Sequence, residues 1–372
     1  MRIAIVVSGG LHPSGRQQVV PSLLALLSEL AKQHDVHAFA LRHLSMAQSY
    51  QLNGFAVHDL GRPGAPYGLT PWAQARALSR AMTTHGPFDL VHGFWGDPAG
   101  ALAARMGRRF RIPSIATLDS GEFESLPEIG YGSQRTARGR AAVREALSST
   151  RVHVCTDFMA GKAAAHGATA VVIPLTSQLA DSPAPARRAT REGSLRIVQV
   201  ASLSRVKNQR LLIDALSVLA GSVNAELDLA GEDTLDGELH RYAAAIGIAN
   251  RVTFHGFVAQ DDLRPLLGNA DVYVQSSVHE AAGVSVLEAA AHGLPVIGTR
   301  VGYVADWFPD RALGVASADA GALAAAILAL HNDRADAVAM AARAQQWVRE
   351  RPTRWVAQQI DDLYRTCTTR VR

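Results

Sequence analysis

Two glutamates with a glycine between them are the first residues of this sequence whose spacing suggests chemistry. Glu280 and Glu288 lie in SSVHEAAGVSVLEAAAHGLPVIGTRVG, residues 276–302. Gly283 predicts a turn, and Val284–His292 has a composition that favours a helix. The backbone N–H groups at such a helix start bind phosphate well. Carboxylates on both sides of this turn therefore fit a ligand with hydroxyl groups on both sides of a diphosphate, which is the shape of a nucleotide sugar.

The same spacing also fits two surface glutamates on an ordinary helix. The sequence GLPVIGT at 293–299, a turn followed by a strand, favours the ligand interpretation. Lys207 follows the predicted strand Leu195–Val200, where an ammonium group can neutralise an anion. A lone lysine in that place is otherwise most often a solvated surface residue.

The elements around these residues predict an α/β chain. The 372 residues fit two domains, and 48% hydrophobic with 19% charged residues is typical of a globular protein. Short apolar runs alternate with helical patterns, which predicts parallel sheets with helices on both faces. The predicted strands are Ile3–Val7, Val36–Ala40, Leu90–His92, Ile112–Thr117, Val152–Thr156, Leu195–Val200, Glu226–Ala230, Val252–His255, Val272–Gln275 and Pro295–Gly298. The predicted helices include Gln17–Lys32, Pro98–Met106 and Ala141–Ser148.

A segment with two prolines, DSPAPARR from residue 181, interrupts this alternation and predicts a linker. We predict two doubly wound Rossmann-like domains, 1–177 and 195–350, joined by a linker at 178–194. Ligands of open α/β sheets bind beyond the carboxyl ends of the strands, so we expect the site in a cleft between the domains. The last segment, 351–372, is expected to form a helix that packs back on the N-terminal domain.

Charge and cysteine content indicate the compartment and the kind of partner. Cys155 and Cys367 have no metal-ligand or redox spacing, which favours a reducing compartment. The apolar run Ile3–Val7 is too short for a signal peptide, and no window approaches the ~18 apolar residues of a membrane span. We therefore expect a cytoplasmic protein. Residues 1–178 carry 17 Lys and Arg against 11 Asp and Glu, so an anionic partner would contact this half.

From residue 195 to residue 302 the chain resembles the family-4 retaining glycosyltransferases of the GT-B fold. EAAGVSVLE at 280–288, followed by GLPVI, matches their E-x7-E motif. VASLSRVKN at 200–208 resembles their strand and loop with a phosphate-binding lysine, and RVTFHGFV and ADVYVQSS match further segments. The likeness is looser over 1–178, where it rests on a glycine turn and on DLVHGFWGDPAGALAA.

The resemblance implies a metal-independent enzyme that moves a sugar from a nucleotide-sugar donor to a glycan, lipid-linked or small-molecule acceptor with retention. Glu288 would bind the ribose hydroxyls, and Glu280 would contact the donor sugar as a catalytic residue. The amides of Gly283 and Val284 would meet the diphosphate. Lys207 would neutralise charge on the leaving diphosphate, the work that a metal ion does in other transferases.

The same resemblance extends the donor site to other loops. Backbone near Phe257 and Val258 would contact the base. Gly9 and Gly10, in the turn after the first strand, would approach the diphosphate from the N-terminal domain. No cofactor and no metal ion is expected beyond the nucleotide sugar itself.

Three positions depart from the family pattern. Ala201-Ser202 stands where the family often has Gly-Arg, so Ser202 lies at the donor site and Arg205 is the candidate to replace that arginine. Ala282 stands for a phenylalanine, which either widens the sugar pocket or is repacked. Asp119 stands where the family often places a histidine next to the reacting sugar. Its carboxylate would bind a sugar hydroxyl or orient the acceptor, or it is an ordinary turn residue.

Two residues at the carboxyl end of the strand around Leu90–Val91 are candidates for the acceptor side. His92 either packs in the core or faces the acceptor. Asp97 either faces the acceptor or caps the helix that is predicted to start at Pro98.

Arginine clusters at 105–111 and 135–144 fit solvated helix faces or peripheral contact with an anionic membrane. Nucleic acid is not expected, because no aromatic residues are interleaved with the arginines. Two other functions remain open at this point. They are a nucleotide-sugar epimerase of the same fold and a catalytically weak nucleotide-sugar-binding protein.

Overall fold

The computed structural model describes residues 1–61, 71–182, 184, 194–316 and 319–369. The chain forms two compact units, Met1–Thr176 with Thr353–Arg372, and Ser177–Pro352. We call them the first and the second unit. Most of the predicted linker 178–194 lies outside the described residues, but its start, Gln178–Asp181, forms a short helix.

Fourteen strands are found in the described ranges: β1 Arg2–Val7, β2 Asp35–Ala40, β3 Gln48–Leu52, β4 Phe55–Asp59, β5 Leu90–Phe94, β6 Ser114–Thr117, β7 Arg151–Val154, β8 Ala170–Val172, β9 Leu195–Val200, β10 Ala225–Ala230, β11 Val252–Gly256, β12 Val272–Gln275, β13 Val296–Thr299 and β14 Leu313–Val315. The first unit contains one sheet of order β3-β4-β2-β1-β5-β6-β7-β8. The second unit contains one sheet of order β11-β10-β9-β12-β13-β14. All pairs are parallel except the hairpin of β3 and β4, which the sequence did not reveal.

The helices in the described ranges are α1 Pro21–Leu30, α2 Pro71–His85, α3 Ala101–Phe110, α4 Ala137–Leu147, α5 Asp157–Ala165, α6 Gln178–Asp181, α7 Gln209–Leu219, α8 Glu238–Ala245, α9 Leu263–Asn269, α10 Val284–Ala291, α11 Tyr303–Trp307, α12 Ala320–Asn332, α13 Arg334–Arg349 and α14 Thr353–Thr368. Together with the parallel sheets they confirm the predicted α/β fold with two Rossmann-like units.

Apolar residues on both faces of each central strand explain why helices cover both sides of the sheets. In β1, Ile3, Ile5 and Val7 belong to one buried cluster, and Ala4 and Val6 belong to another. Successive side chains of a strand point to opposite faces, so the unbroken apolar run fills two cores at once. Helix α14 contributes to the first of these clusters and therefore belongs to the first unit.

Several predicted boundaries shift because local backbone signals override composition. The helix predicted at Gln17–Lys32 is only α1, since Pro21 at its first position fixes its start. The strand predicted at Val152–Thr156 ends earlier, because the Thr156 hydroxyl caps α5 by accepting from the Met159 N–H at 3.2 Å. The helix predicted at Pro98–Met106 was wrong at its start, because an irregular turn, Gly96–Gly100, precedes α3.

Candidate active site

The second unit joins Lys207 and Glu280 in an ion pair. The Lys207 Nζ donates to Glu280 Oε1 at 2.5 Å, and the Ser277 hydroxyl donates to the same oxygen at 2.8 Å. Both charged side chains are largely withdrawn from solvent, with exposed fractions of 25% for Lys207 and 12% for Glu280. The sequence assigned these two residues to different parts of a donor, and the structure shows them in direct contact.

Neighbouring strands bring this pair together. β9 and β12 pair in parallel, so the loops that follow them leave the same edge of the sheet. The Val278 N–H donates to the Val206 carbonyl at 2.8 Å, and the Ser276 hydroxyl donates to the Lys207 carbonyl at 2.9 Å. These two bonds fix one loop against the other, so the backbone that carries the ion pair is held in place.

Helix α10 begins directly after the Glu280 loop. Gly283 precedes its first residue with a φ of +86°, a conformation that L side chains rarely adopt. A Cβ at this position would also lie 2.5 Å from Oε1 of Gln275. That oxygen is buried and has no hydrogen-bond partner in the parts of the chain that the structure describes. The turn therefore needs glycine, and no side chain caps the first N–H groups of α10.

Glu288 lies inside α10 and is buried, with 7% of its surface exposed. Its Oε1 accepts from the Ser177 hydroxyl at 2.9 Å and from the Gln260 amide at 3.1 Å. Burial raises the pKa of this carboxyl to about 7, against the effect of both hydrogen bonds. Glu288 therefore changes charge near neutral pH, and among the described residues its two side-chain donors both bind Oε1.

The other predicted donor residues lie nearer the surface. Ser202 is exposed, and its carbonyl accepts from the Gln209 amide at 3.0 Å. Arg205 pairs with Glu238 at 2.7 Å, and both side chains are exposed. Val258 is half-buried next to Phe257, whose ring is 62% exposed. The roles of Ser202, Arg205 and Val258 in donor binding stay predictions.

In the first unit, the turn after β1 packs against two side chains. Gly10 has a φ of +85°, and a Cβ there would lie 2.7 Å from a methyl group of Val20. A Cβ on Gly9 would lie 3.1 Å from Nδ1 of His43. Glycine is therefore required at position 10 for the backbone itself, whether or not a ligand binds at this turn.

The assignment of His92 to the acceptor side needs correction. This residue is fully buried in β5, and its Nδ1 lies 2.8 Å from the Tyr364 hydroxyl. Its Nε2 lies 2.7 Å from the Thr117 hydroxyl. Because both ring nitrogens are occupied inside the core, His92 holds α14 against the sheet and does not face an acceptor. Burial also lowers the pKa of its imidazole well below the ordinary value, so the ring is neutral.

Asp97 lies in the irregular turn after β5 and does not cap a helix, because α3 starts only after Gly100 and neither the turn nor α3 has a side-chain cap bond at its start. Burial raises the pKa of its carboxyl, while Arg138 and Arg42 act in the opposite direction. Asp97 lines a cavity of about 450 Å³ together with both arginines and Ser8. The structure therefore keeps Asp97 as a candidate for the acceptor side.

Asp119 follows β6, and its Oδ1 is sequestered without a hydrogen-bond partner in the described ranges. Burial and the nearby Glu122 raise the pKa of Asp119 well above its usual value. Glu122 accepts from the Gly96 N–H at 2.8 Å and from the Ser120 N–H at 2.7 Å. The charge of Glu122 is thus satisfied, while the raised pKa of Asp119 disfavours the charged form of its carboxyl. The role of Asp119 on the acceptor side stays a prediction.

Two family models match this chain. The "Glycosyl transferase 4-like domain" matches residues 19–176, and "Glycosyl transferases group 1" matches residues 183–347. Residues 183–347 thus belong to the group 1 glycosyltransferases, and residues 19–176 belong to a glycosyltransferase domain of the 4-like type. The curated relatives match shorter stretches: the lipopolysaccharide core biosynthesis glycosyltransferase LpsE of Rhizobium meliloti is 42% identical over 94 residues, 25% of this chain and 26% of that protein. The chain thus spans about a quarter of the length of the first curated relatives that it matches.

Solved structures of glycosyltransferases resemble this chain over nearly its full length. Sucrose-phosphate synthase from Thermosynechococcus elongatus has a TM-score of 0.80 at 18% identity, covering 98% of this chain and 99% of that one. Anabaena HepE, solved in complex with UDP-glucose, has a TM-score of 0.75 at 18% identity, covering 98% and 100%. At such identities the likeness shows the fold. None of the described helices of this chain combines the length and apolar character needed to cross a bilayer.

The uncharged hydrogen-bond partners of Glu288 were not predicted from the sequence. Ser177 and Gln260 bind Glu288 from segments 111 and 28 positions away, and no local pattern marks either of them. Ser277, by contrast, lies three residues before Glu280 in the motif segment, so its contact was within reach of a sequence argument.

A cluster of three histidines was also missed. His37, His58 and His85 bring ring nitrogens within 4.8 Å of one another. His37 Nδ1 and His58 Nε2 are 2.9 Å apart, and the rings of His58 and His85 stack at 3.7 Å between centroids. The rings are stacked, whereas a metal ion needs ring nitrogens that converge on one point. We therefore regard this cluster as packing of aromatic rings.

Proposed function

We propose that this chain transfers a sugar from a nucleotide-sugar donor bound by the second unit to a hydroxyl group of an acceptor, with retention and without a metal ion. The observation that carries the proposal is the Lys207–Glu280 ion pair next to the start of α10. A cation, a carboxylate and a glycine turn at a helix start without a side-chain cap are the groups that a sugar diphosphate needs. That HepE was solved with UDP-glucose makes UDP-glucose the first donor to test.

The proposed reaction has one transfer step. The bond between the anomeric carbon and the diphosphate oxygen breaks, and a bond from the acceptor oxygen to the same carbon forms on the same face. The acceptor's hydroxyl proton passes to the departing phosphate oxygen. Lys207 would stabilise the charge that develops on the diphosphate, so no metal ion is required for this task. Glu280 would hold the donor sugar and stabilise positive charge at its ring without forming a covalent bond.

Glu288 would accept hydrogen bonds from the ribose of the donor. Its position inside α10, away from Glu280 at the other side of Gly283, supports a separate role for the two carboxylates. Gly9, Gly10, Val258, Ser202 and Arg205 remain proposed contacts of the donor. Asp119 and Asp97 remain proposed contacts of the acceptor.

The test is an assay of nucleotide release from UDP-glucose, GDP-mannose, ADP-glucose and TDP-glucose, with and without acceptor sugars. Acceptor-dependent release with an α-linked product from an α-linked donor, seen by NMR, supports retaining transfer. An epimerase would instead convert the nucleotide sugar into its epimer and release free nucleotide, and it would form no acceptor product. Activity that EDTA abolishes and Mn²⁺ restores would contradict the metal-free role of Lys207.

A further inference from the structure

A cavity of about 450 Å³ lies in the first unit, where three strands of its sheet end. Ser8 follows β1, Leu41 and Arg42 follow β2, and Asp97 and Pro98 follow β5. In parallel α/β sheets this edge is where ligands bind. The remaining lining residue is Arg138 on α4.

The charges of this cavity favour an anion. Two guanidinium groups, those of Arg42 and Arg138, face one carboxyl group, that of Asp97. Burial raises the pKa of Asp97 and so disfavours its charged form, while the two arginines act in the opposite direction. The wall is therefore cationic, in the half of the chain with the excess of basic residues.

Arg42 is held in place by a buried amide. Gln74 is 2% exposed, and with its amide oxygen turned toward Arg42 it accepts from Nε at 2.7 Å and from Nη2 at 2.8 Å. A guanidinium fixed along one edge by two hydrogen bonds loses little side-chain entropy when it binds a planar or tetrahedral oxyanion.

Arg138 stands where a helix does not favour a cation. It is the second residue of α4, and the positive end of the helix dipole lies there. The neighbouring Arg135 and Arg140 donate to the carbonyls of Gly130 and Gln134. No hydrogen bond or ion pair of Arg138 occurs among the described residues, although it acts electrostatically on Asp97. An anion in the cavity would offset the repulsion at the helix start.

The backbone around Arg138 is fixed. The Thr136 hydroxyl caps α4 by accepting from the Gly139 N–H at 3.0 Å. A Cβ on Gly139 would lie 2.1 Å from the Ser133 carbonyl oxygen, so only glycine permits this close approach. The start of α4 therefore presents Arg138 to the cavity from a rigid support.

We infer that this cavity binds the acceptor through an oxyanion, so that the acceptor is a sugar or polyol carrying a phosphate ester. Arg42 and Arg138 would bind the phosphate oxygens, and Asp97 would bind a neighbouring hydroxyl group. The inference rests on the proposed transfer function and adds the substrate class of its acceptor side. The same phosphate chemistry occurs in soluble sugar phosphates and in the headgroups of phosphorylated lipids.

Calorimetry without any donor tests the inference separately from the transfer reaction. Glucose 6-phosphate, fructose 6-phosphate and inositol 1-phosphate are compared with glucose, fructose and inositol. Vesicles of phosphatidylcholine with and without phosphatidylinositol 4-phosphate form the second arm and are followed by co-sedimentation. We expect at least one phosphorylated compound or vesicle to bind 10-fold or more tightly than its unphosphorylated counterpart, and the arm in which it binds identifies the source.

Arg138→Gln is the variant of choice because the side chain is exposed and its loss leaves the core intact. We expect it to weaken binding of the phosphorylated compound about 10-fold or more. Arg144→Gln, the same charge change at an exposed position of α4, should change binding less than twofold. Equal affinity for phosphorylated and unphosphorylated compounds in both arms would overturn the inference. An equal loss of UDP-glucose affinity in Arg138→Gln would also overturn it, because the cavity would then hold the donor diphosphate.

The two proposals fail in different ways. If no nucleotide sugar binds or is turned over, the proposed function fails, while binding of a sugar phosphate to the cavity can still be measured. If transfer occurs to an uncharged acceptor with unchanged kinetics in Arg138→Gln, the proposed function stands and the anionic acceptor site does not.

Discussion

Lys207 and Glu280 are 73 positions apart, and their side chains meet at 2.5 Å between Nζ and Oε1. In our proposal the lysine serves the leaving diphosphate, and the glutamate serves the donor sugar. Their contact means that each charge compensates the other before a donor binds. A donor must therefore replace part of this ion pair with contacts of its own, and the two residues should be coupled energetically.

The first prediction is that Glu280→Gln lowers kcat about 10²-fold or more while nucleotide affinity changes little. The amide keeps the shape of the side chain but loses the charge that would stabilise the developing positive sugar ring. Lys207→Ala should lower kcat more than it lowers donor affinity, because its partner gains charge mainly in the transition state. Steady-state kinetics with the true donor, together with calorimetry of the nucleotide, measure both effects.

The double variant provides the sharper result. Because the two side chains are in contact, the effects of the single changes should not add. Glu226→Gln, which removes a carboxylate from an exposed ion pair with Arg196, is the matched control and should leave kcat unaltered. Wild-type kcat in Glu280→Gln would show that Glu280 is a structural loop residue.

Local sequence signals predicted the elements of this site better than they predicted its contacts. Helix α10 starts at Val284 as expected, because the glycine before it and the composition after it act over a few residues. The contact of Lys207 with Glu280 depends on β9 lying next to β12, and strand order is a property of the whole sheet. Ser177 binds Glu288 from a distant segment of the chain, so no local sequence pattern predicts this contact.

The burial of His92 could not be predicted from the sequence. From sequence, a histidine near the end of a buried strand is equally consistent with an acceptor site and with the hydrophobic core. Its partner Tyr364 lies 272 positions away on α14, and only the packing of that helix decides that the ring is buried. The position of Asp97, by contrast, could be predicted, since residues that follow parallel strands gather at one edge of the sheet.

The second prediction concerns α14 and the stability of the first unit. Ile360 is fully buried in the cluster that contains Ile3 and Leu27. Ile360→Ala should therefore reduce the free energy of unfolding by about 2–5 kcal/mol, measured by urea denaturation. Gln358→Ala, on the exposed face of the same helix, should stay within about 0.5 kcal/mol. Truncation after Glu350, which removes the helix, should destabilise the protein further. An unchanged melting temperature after truncation would contradict the packing role of α14.

The third prediction is a loss of stability in acid that depends on His58. Burial and the nearby His85, His37 and Arg2 lower the pKa of His58 to about 4. The folded state then binds fewer protons than the unfolded state between that value and the ordinary pKa of 6.5. Stability is therefore highest above pH 6.5 and falls as the pH drops toward 4, by up to roughly 3 kcal/mol for this residue.

Urea denaturation at pH 7.5 and pH 5 measures this acid effect. His58→Gln should lower stability at pH 7.5, because the contacts with His37 and Ser49 are lost, but it should reduce the difference between the two pH values. His166→Gln, at an exposed position, should leave that difference as it is. A difference that is the same in wild type and His58→Gln would assign the acid effect to other groups.

The fourth prediction is that donor affinity rises with pH through the titration of Glu288. Its pKa of about 7 is raised by burial, so the carboxyl is mostly protonated at pH 6 and mostly ionised at pH 8. Ribose hydroxyls donate hydrogen bonds, and an ionised carboxylate accepts them more strongly than a protonated one. We therefore expect the Kd of UDP-glucose, or of the donor that the screen identifies, to fall up to about 10-fold from pH 6 to pH 8. A nucleotide sugar is preferable to a free nucleotide here, because the terminal phosphate of a nucleotide titrates in the same range.

Two variants separate this effect from other pH-dependent groups. Glu288→Gln should bind the donor more weakly at pH 8, by roughly 1.5–3 kcal/mol, and its Kd should no longer depend on pH. Gln260→Leu removes a hydrogen bond that lowers the pKa of Glu288, so the affinity should rise at a higher pH than in wild type. If wild type and Glu288→Gln have the same pH profile, the ribose of the donor does not contact Glu288. If the profile of Gln260→Leu moves to lower pH, the hydrogen bond from Gln260 favours the protonated carboxyl, contrary to the geometry at Oε1.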